Sequence, residues 1–220
     1  MSAPLLLCAD VGSTRGGNFA WARLENGWVV GGTAIDRLRA QLSRACEEGR
    51  PVALGLECPL WLPVPTAESC LSRGREGEGN RSCFAPAGGY VAVLGLHQLC
   101  YLLSGITARS GYPVTQDWRS WFNDPSGLLL WEAFVSGPAH SDQGDALGHL
   151  RDAATALVEF ARRLEDGEPA SDVSARDAGK LSLAGAAMLW AGLADESLLL
   201  RREVLVVKPQ QPYPGKLEGE

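Results

Sequence analysis

Hydrophobic and polar positions alternate along this chain in short apolar runs closed by turn residues. Leu5-Leu6-Leu7-Cys8-Ala9 is continuously apolar and stops at Asp10-Val11-Gly12, the pattern of a strand buried on both faces. The polar, Gly-rich stretch Ser13 to Gly17 reads as a turn. Phe19 to Leu24 then predicts a second strand, Glu25-Asn26-Gly27 a hairpin turn, and Trp28 to Thr33 a third strand. Such a series is an antiparallel meander. Ile35, Leu38, Leu42, Ala45 and Cys46 recur at helical spacing, with Thr33 or Asp36 able to cap the start and Gly49 the end. Val52-Ala53-Leu54-Gly55-Leu56 is again fully apolar and ends at Glu57. The intervening helix lets this strand return parallel to the first.

From Pro59 to Gly88 the periodicity fails. Pro59, Pro63, Pro65 and Pro86, with the tract Arg73-Gly74-Arg75-Glu76-Gly77-Glu78-Gly79, predict a long surface loop inserted over residues 59–88 with a flexible core. Tyr90 to Leu103 predicts a helix and Leu128 to Val135 a fifth strand. Ala146 to Leu164 predicts a long helix carrying Leu147, Leu150, Ala154, Leu157, Val158 and Ala161 on one side. An apolar helix from Leu181 to Leu193 and a strand from Val204 to Val207 follow, and the Pro-rich residues 209–220 read as a frayed tail. The whole is one α/β domain over residues 1–220, in the order β-β-β-α-β-α-β-α with an added C-terminal helix and strand.

Composition changes this picture little. With 220 residues, 45% hydrophobic and 21% charged, the chain can build one sizeable core. No apolar run reaches the ~18 residues of a membrane span, and no basic segment precedes the short apolar run near the N-terminus. The expectation is a cytoplasmic protein without a membrane partner. Six cysteines are scattered without a CxxC pair, which fits reduced, buried thiols better than a zinc module. A net charge of −6 argues against sequence-independent coating of nucleic acid. It leaves room for an acidic, metal-dependent site acting on nucleic acid. Nothing in the sequence sets an oligomeric state.

The candidate chemistry lies at two strand ends. If the strands ending at Asp10 and Glu57 are parallel neighbours, both carboxylates emerge at the carboxyl edge of one sheet, where open α/β sheets place ligands. Two such carboxylates repel unless a positive charge lies between them, and hard oxygen ligands suit Mg²⁺ or Mn²⁺. The plainer alternative has each carboxylate capping its strand or pairing with Arg15 or Arg81.

Several strings carry a family resemblance. They are Asp10-Val11-Gly12 with Arg15-Gly16-Gly17, then Gly55-Leu56-Glu57-Cys58-Pro59-Leu60-Trp61-Leu62-Pro63, Arg81-Ser82-Cys83-Phe84-Ala85-Pro86, Trp131-Glu132-Ala133-Phe134 and Asp152-Ala153-Ala154-Thr155-Ala156-Leu157. In this order they resemble the RNase H-like superfamily, in its uncharacterised branch of predicted nucleases. The resemblance implies an RNase H-like five-stranded mixed sheet flanked by helices. It also implies a one- or two-metal acidic site for phosphodiester hydrolysis, with Asp10, Glu57 and one aspartate of the late helix as metal ligands. Glu57 stands where relatives often have Asp. The late aspartate is Asp152 by its string, with Asp145 as the alternative on the same helix side, nearly opposite the apolar stripe. Glu132 would be a supporting carboxylate, His149 a proton shuttle to the leaving group, and Arg15 and Arg81 contacts to substrate phosphate.

The expected activity is therefore Mg²⁺- or Mn²⁺-dependent nuclease chemistry. The alternative is a non-catalytic RNase H-like module that binds a nucleotide or a partner protein. Asp10-x-Gly-x-Thr14 also resembles the first phosphate loop of actin-like and sugar-kinase ATPases, which need two such domains. His97, in an apolar helix, reads as a structural histidine. Trp118, Arg119 and Trp121 read as a loop pinned to the body, with base stacking as the alternative. Arg73 and Arg75 read as solvated loop residues, with phosphate contact as the alternative.

Overall fold

The computed structural model describes residues 3–25, 27–106, 111–141, 144–168, 170–175 and 178–219, so Asn26 of the expected hairpin turn lies outside it. In chain order the strands are β1 (Leu5–Asp10), β2 (Ala20–Glu25), β3 (Trp28–Gly32), β4 (Val52–Glu57), β5 (Trp61–Pro65), β6 (Val114–Thr115), β7 (Leu128–Ala133), β8 (Ala178–Ser182), β9 (Val206–Val207) and β10 (Glu218–Gly219). The α-helices are α1 (Ile35–Glu47), α2 (Pro86–Leu103), α3 (Trp118–Asn123), α4 (Ala146–Asp166) and α5 (Leu183–Trp190). None of the described helices is long and apolar enough to cross a membrane.

The protein is α/β with a mixed sheet flanked by helices. Among the described residues the sheet has eight strands in the order β10-β3-β2-β1-β4-β7-β6, and β9 also pairs with β7. The meander β1–β2–β3 is antiparallel, while β1, β4 and β7 run parallel. The five expected strands form the centre, and β6, β9 and β10 extend it. Side chains of a strand alternate between faces, which explains why β1 is apolar throughout. Leu5, Leu7 and Ala9 enter the core shared with α1, α2 and α5, whereas Leu6 and Cys8 enter the core shared with α4.

α4 approaches the sheet closely because Ala153, Ala154 and Ala156 offer only methyl groups and are fully buried. Its Phe160 stacks on Trp131 of β7 with centroids 4.5 Å apart and planes at 15°. Gly55 of β4 admits that indole: a Cβ there would stand 2.3 Å from the Trp131 ring. The buried face of α4 includes Leu150, Ala154, Leu157 and Ala161 of the expected stripe but extends beyond it. Leu147 is exposed, while Asp152 is only 1% exposed.

Several sequence expectations are corrected. The segment 59–88 is not a loop throughout: β5 pairs antiparallel with β8, and Glu76 bridges to Ser174. Gly77 does not loosen the chain. It holds a φ of 96° with no room for a Cβ, which would meet the Asp172 carbonyl at 2.1 Å. Arg75 is buried, not solvated. Residues 178–182, expected in part as helix, form β8, so α5 is shorter than the apolar run suggested. Residues 209–219 are docked, not frayed. The Tyr213 N–H donates to Thr155 Oγ1 at 2.9 Å, and β10 pairs with β3. Trp118 and Trp121 are buried on a short helix, with the Arg119 guanidinium 4.2 Å from the Trp118 ring. His97 is exposed rather than structural.

Candidate metal centre

Register brings the first two acids together. Asp10 stands opposite Glu57 in the parallel β1–β4 pair, so their side chains leave the same face of the sheet. That face is the one covered by α4. Asp152 projects from the second turn of α4 toward it, and its oxygens join theirs: one carboxylate oxygen from each of Asp10, Glu57 and Asp152 lies within 4.8 Å of the others. This spacing compares with the ~4.2 Å between opposite ligands of an octahedral ion with ~2.1 Å bonds.

Asp145 is not part of the cluster. It caps α4, its Oδ1 accepting from the Gly148 N–H at 2.9 Å. Glu132 is also elsewhere. It is opposite Leu56, not Glu57, and therefore points through the other face of the sheet. There it accepts two bonds from Arg75, at 2.6 and 2.8 Å, and one from the Leu60 N–H at 2.9 Å. Its expected supporting role at the metal site is corrected to a structural one. Arg15 lines a separate surface cavity with Thr14, His97 and Tyr101. Arg81 reaches the cluster's edge, where its Nη1 donates to the Val135 carbonyl at 3.4 Å and its charge favours ionised Glu57.

Two histidines face the carboxylates. His149 Nδ1 is 2.7 Å from Asp10 Oδ2, and His140 Nδ1 is 2.7 Å from Asp152 Oδ2. The Ser141 N–H also donates to Asp152 Oδ1 at 2.8 Å. His140 was missed by sequence reading. It follows a short 3₁₀ turn at Gly137–Ala139, and no periodicity there tells which way a side chain faces. A histidine between a strand end and an acidic helix was the one available signal.

Electrostatics mark the site as unfinished. Burial, then the charges of Asp10 and Asp152, push the Glu57 carboxyl well above the usual range. Burial also raises Asp10 and Asp152, although His149 and the Ser141 amide respectively pull them back. The hydrogen bond to Asp10 raises His149 above the ordinary histidine value. Glu57 Oε2 is buried and has no hydrogen-bond partner. A buried carboxylate oxygen without a donor is costly, and a cation is the ligand that removes the cost. The donor set is all-oxygen, which suits Mg²⁺ or Mn²⁺. The residues present fit such an ion.

Comparison of the chain with protein-family models, with curated proteins and with solved structures finds no match in any of the three.

Proposed function

We propose that this protein is a Mg²⁺- or Mn²⁺-dependent phosphodiester hydrolase of RNase H-like type, with the ion held by Asp10, Glu57 and Asp152. One observation carries the reading: three carboxylates from β1, β4 and α4 converge, Asp10 and Asp152 buried and Glu57 half-buried, and Glu57 Oε2 is left without a donor. The central strand order β3-β2-β1-β4-β7, with β2 alone antiparallel to both neighbours, supports the RNase H-like assignment.

A bound divalent ion would activate water and offset charge developing on the phosphoryl oxygens. The chain's own groups divide the remaining work. Asp10 accepts from His149 Nδ1–H, which fixes the imidazole and leaves Nε2 as the atom that exchanges a proton with the leaving oxygen. His140 and the Ser141 amide hold Asp152 in place. Arg81, at the rim beside Glu57, is positioned to meet a phosphate.

The same two histidines favour a second reading, a non-catalytic nucleotide- or protein-binding module. Protonated, they can offset two of the three carboxylates without a metal. Thermal unfolding with added Mn²⁺ separates the two. The hydrolase reading requires a stabilisation of ~2.7 kcal/mol at a hundredfold excess over Kd, absent in Asp10→Asn. No shift in the wild-type protein leaves the module.

A further inference from the structure

A cavity of about 470 Å³ opens at the same sheet edge as the acidic centre but on the other side of the sheet, between α1, α2 and the turn after β1. One wall is that turn, whose Thr14 and Arg15 are exposed. The turn is fixed from within. The Gly16 N–H donates to Ser13 Oγ and the Asn18 N–H to the Ser13 carbonyl, each at 3.0 Å. Gly12 has no room for a Cβ, which would stand 1.8 Å from the Asn18 carbonyl oxygen. The other wall is α2, whose Tyr90, Leu94, His97 and Tyr101 recur at helical spacing along the cavity. Tyr101 is already occupied: its hydroxyl donates to Asp36, and the Arg39 guanidinium lies 4.6 Å from its ring. Tyr90 is 65% exposed, so its ring is an open stacking platform. Gln98 also lines the cavity and is only 5% exposed. Its Nε2 donates to the Gly12 carbonyl at 2.7 Å, which settles the orientation of the amide and leaves Oε1 buried with no donor. An unmet buried acceptor is costly until an N–H reaches it. Among the described residues no carboxylate lines the cavity, and Arg15 makes it positive on a chain of net charge −6.

We propose that this cleft holds an unpaired base of a single-stranded nucleic acid, stacked on Tyr90, with Arg15 on the phosphate beside it. A flat ring with an N–H at its edge is what an open aromatic face beside an unmet acceptor selects. Every base carries such a donor on its Watson–Crick edge, the group that Gln98 Oε1 lacks. In a duplex that donor is taken by the opposite base and the ring faces are covered by neighbours, so the cleft discriminates against paired strands. The same strand can serve both places. Arg15 follows Asp10 by five residues, a reach of at most ~18 Å. The inference thus names the substrate class of the acidic centre and rests on the metal-hydrolase reading for the chemistry done there. Base binding in the cleft does not depend on that reading.

Fluorescence anisotropy on the full chain in Mn²⁺ tests it, with phosphorothioate strands that resist cleavage. The ligands are oligothymidylate, its N3-methylated form, an abasic strand and a duplex of equal length, and thymidine monophosphate. Oligothymidylate is expected to bind at least about tenfold more tightly than the abasic strand, the duplex and the mononucleotide. Its advantage over the N3-methylated strand, which keeps the ring but lacks the donor, should be about fivefold. Tyr90→Ala, at an exposed position, should weaken oligothymidylate about tenfold with Mn²⁺ affinity unchanged. Tyr90→Phe should restore it, because stacking needs the ring and not the hydroxyl. Arg15→Gln should reduce the slope of log affinity against log salt by about 0.7. The abasic, N3-methylated or duplex ligand bound as tightly as oligothymidylate overturns the inference. So does wild-type affinity in Tyr90→Ala, or an unchanged salt slope in Arg15→Gln. Thymidine monophosphate bound as tightly as the strand assigns the cleft to a free nucleotide and overturns it too. Mn²⁺ binding without oligothymidylate binding refutes the cleft and leaves the hydrolase reading intact. Oligothymidylate binding through Tyr90 with no Mn²⁺ binding does the reverse.

Discussion

Two buried acidic clusters sit at the same sheet edge, one on each face, and they are solved in opposite ways. On one face Glu132 and Glu78 share Arg75, whose Nε donates to Glu78 at 2.8 Å and whose Nη atoms hold Glu132. The guanidinium also donates to the Trp61 carbonyl and lies 4.9 Å from its ring. Burial lowers the Arg75 pKa and the two glutamates more than restore it, so the net shift is upward. Every charge there has a partner. On the other face Asp10, Glu57 and Asp152 have two histidines, the Ser141 and Val135 amides and Arg81 at the rim, and Glu57 keeps an oxygen without a donor. A satisfied cluster holds structure, here tying the segment after β5 to the sheet. An unsatisfied one leaves an acceptor open. Burial alone does not separate them; the count of donors does.

The largest expected effect tests the satisfied face. Arg75→Met leaves Glu132 and Glu78 buried without a counter-charge and should cost about 3–5 kcal/mol in chemical denaturation. Mn²⁺ affinity in the surviving folded fraction should be unchanged. A neutral result would mean that the arginine is not what anchors residues 59–88.

Glu57→Gln sharpens the other half with the opposite sign. It removes a carboxyl that the fold holds in an unfavourable charged state, so the metal-free protein should gain on the order of 1–3 kcal/mol, while Mn²⁺ no longer stabilises it. A pH series on the wild-type protein provides the linked check. Carboxyls raised in the folded state bind protons more tightly there than in the unfolded chain. Their contribution is complete below the ordinary carboxylate range and is lost as pH rises through the raised values; His149, also raised, continues the loss upward from the ordinary histidine range. The melting temperature in EDTA should therefore fall with rising pH, and Mn²⁺ should flatten the slope. A metal-free stability that rises over this range would mean the cluster is already compensated.

The smallest effect concerns the two aspartates at the start of α4. Asp145→Ala loses a helix cap worth about 1 kcal/mol and should leave Mn²⁺ titrations unaltered, whereas Asp152→Asn should abolish them. Loss of Mn²⁺ binding in Asp145→Ala would show that the cap also supports the site.

Local pattern was enough for much of this chain. Continuous apolar runs ending in Asp10 and Glu57 located two buried parallel strands, because only a strand covered on both faces stays apolar at every position. Once a helix joined them, their pairing put both acids at one edge. Periodicity also located α1, α2 and α4. It could not choose the face of Glu132, because a strand apolar on both sides carries no alternation to read, and its register against β4 is a long-range outcome. It also misjudged α4. Asp152 looked like the solvated side of an amphipathic helix, yet the small side chains beside it let the helix settle with that side against the sheet edge. Charge and glycine made residues 73–80 look mobile. An arginine reads as solvent-exposed until a buried carboxylate from 57 residues away meets it. Sequence by itself thus determined the central strands β1 to β4 and β7, the helices α1, α2 and α4, and the placing of Asp10 and Glu57 at strand ends, since those depend on neighbours within a few residues. Which carboxylates are neutralised and which remain open was decided only in the tertiary structure, because it depends on where Arg75, His140 and His149 come to rest across the sheet.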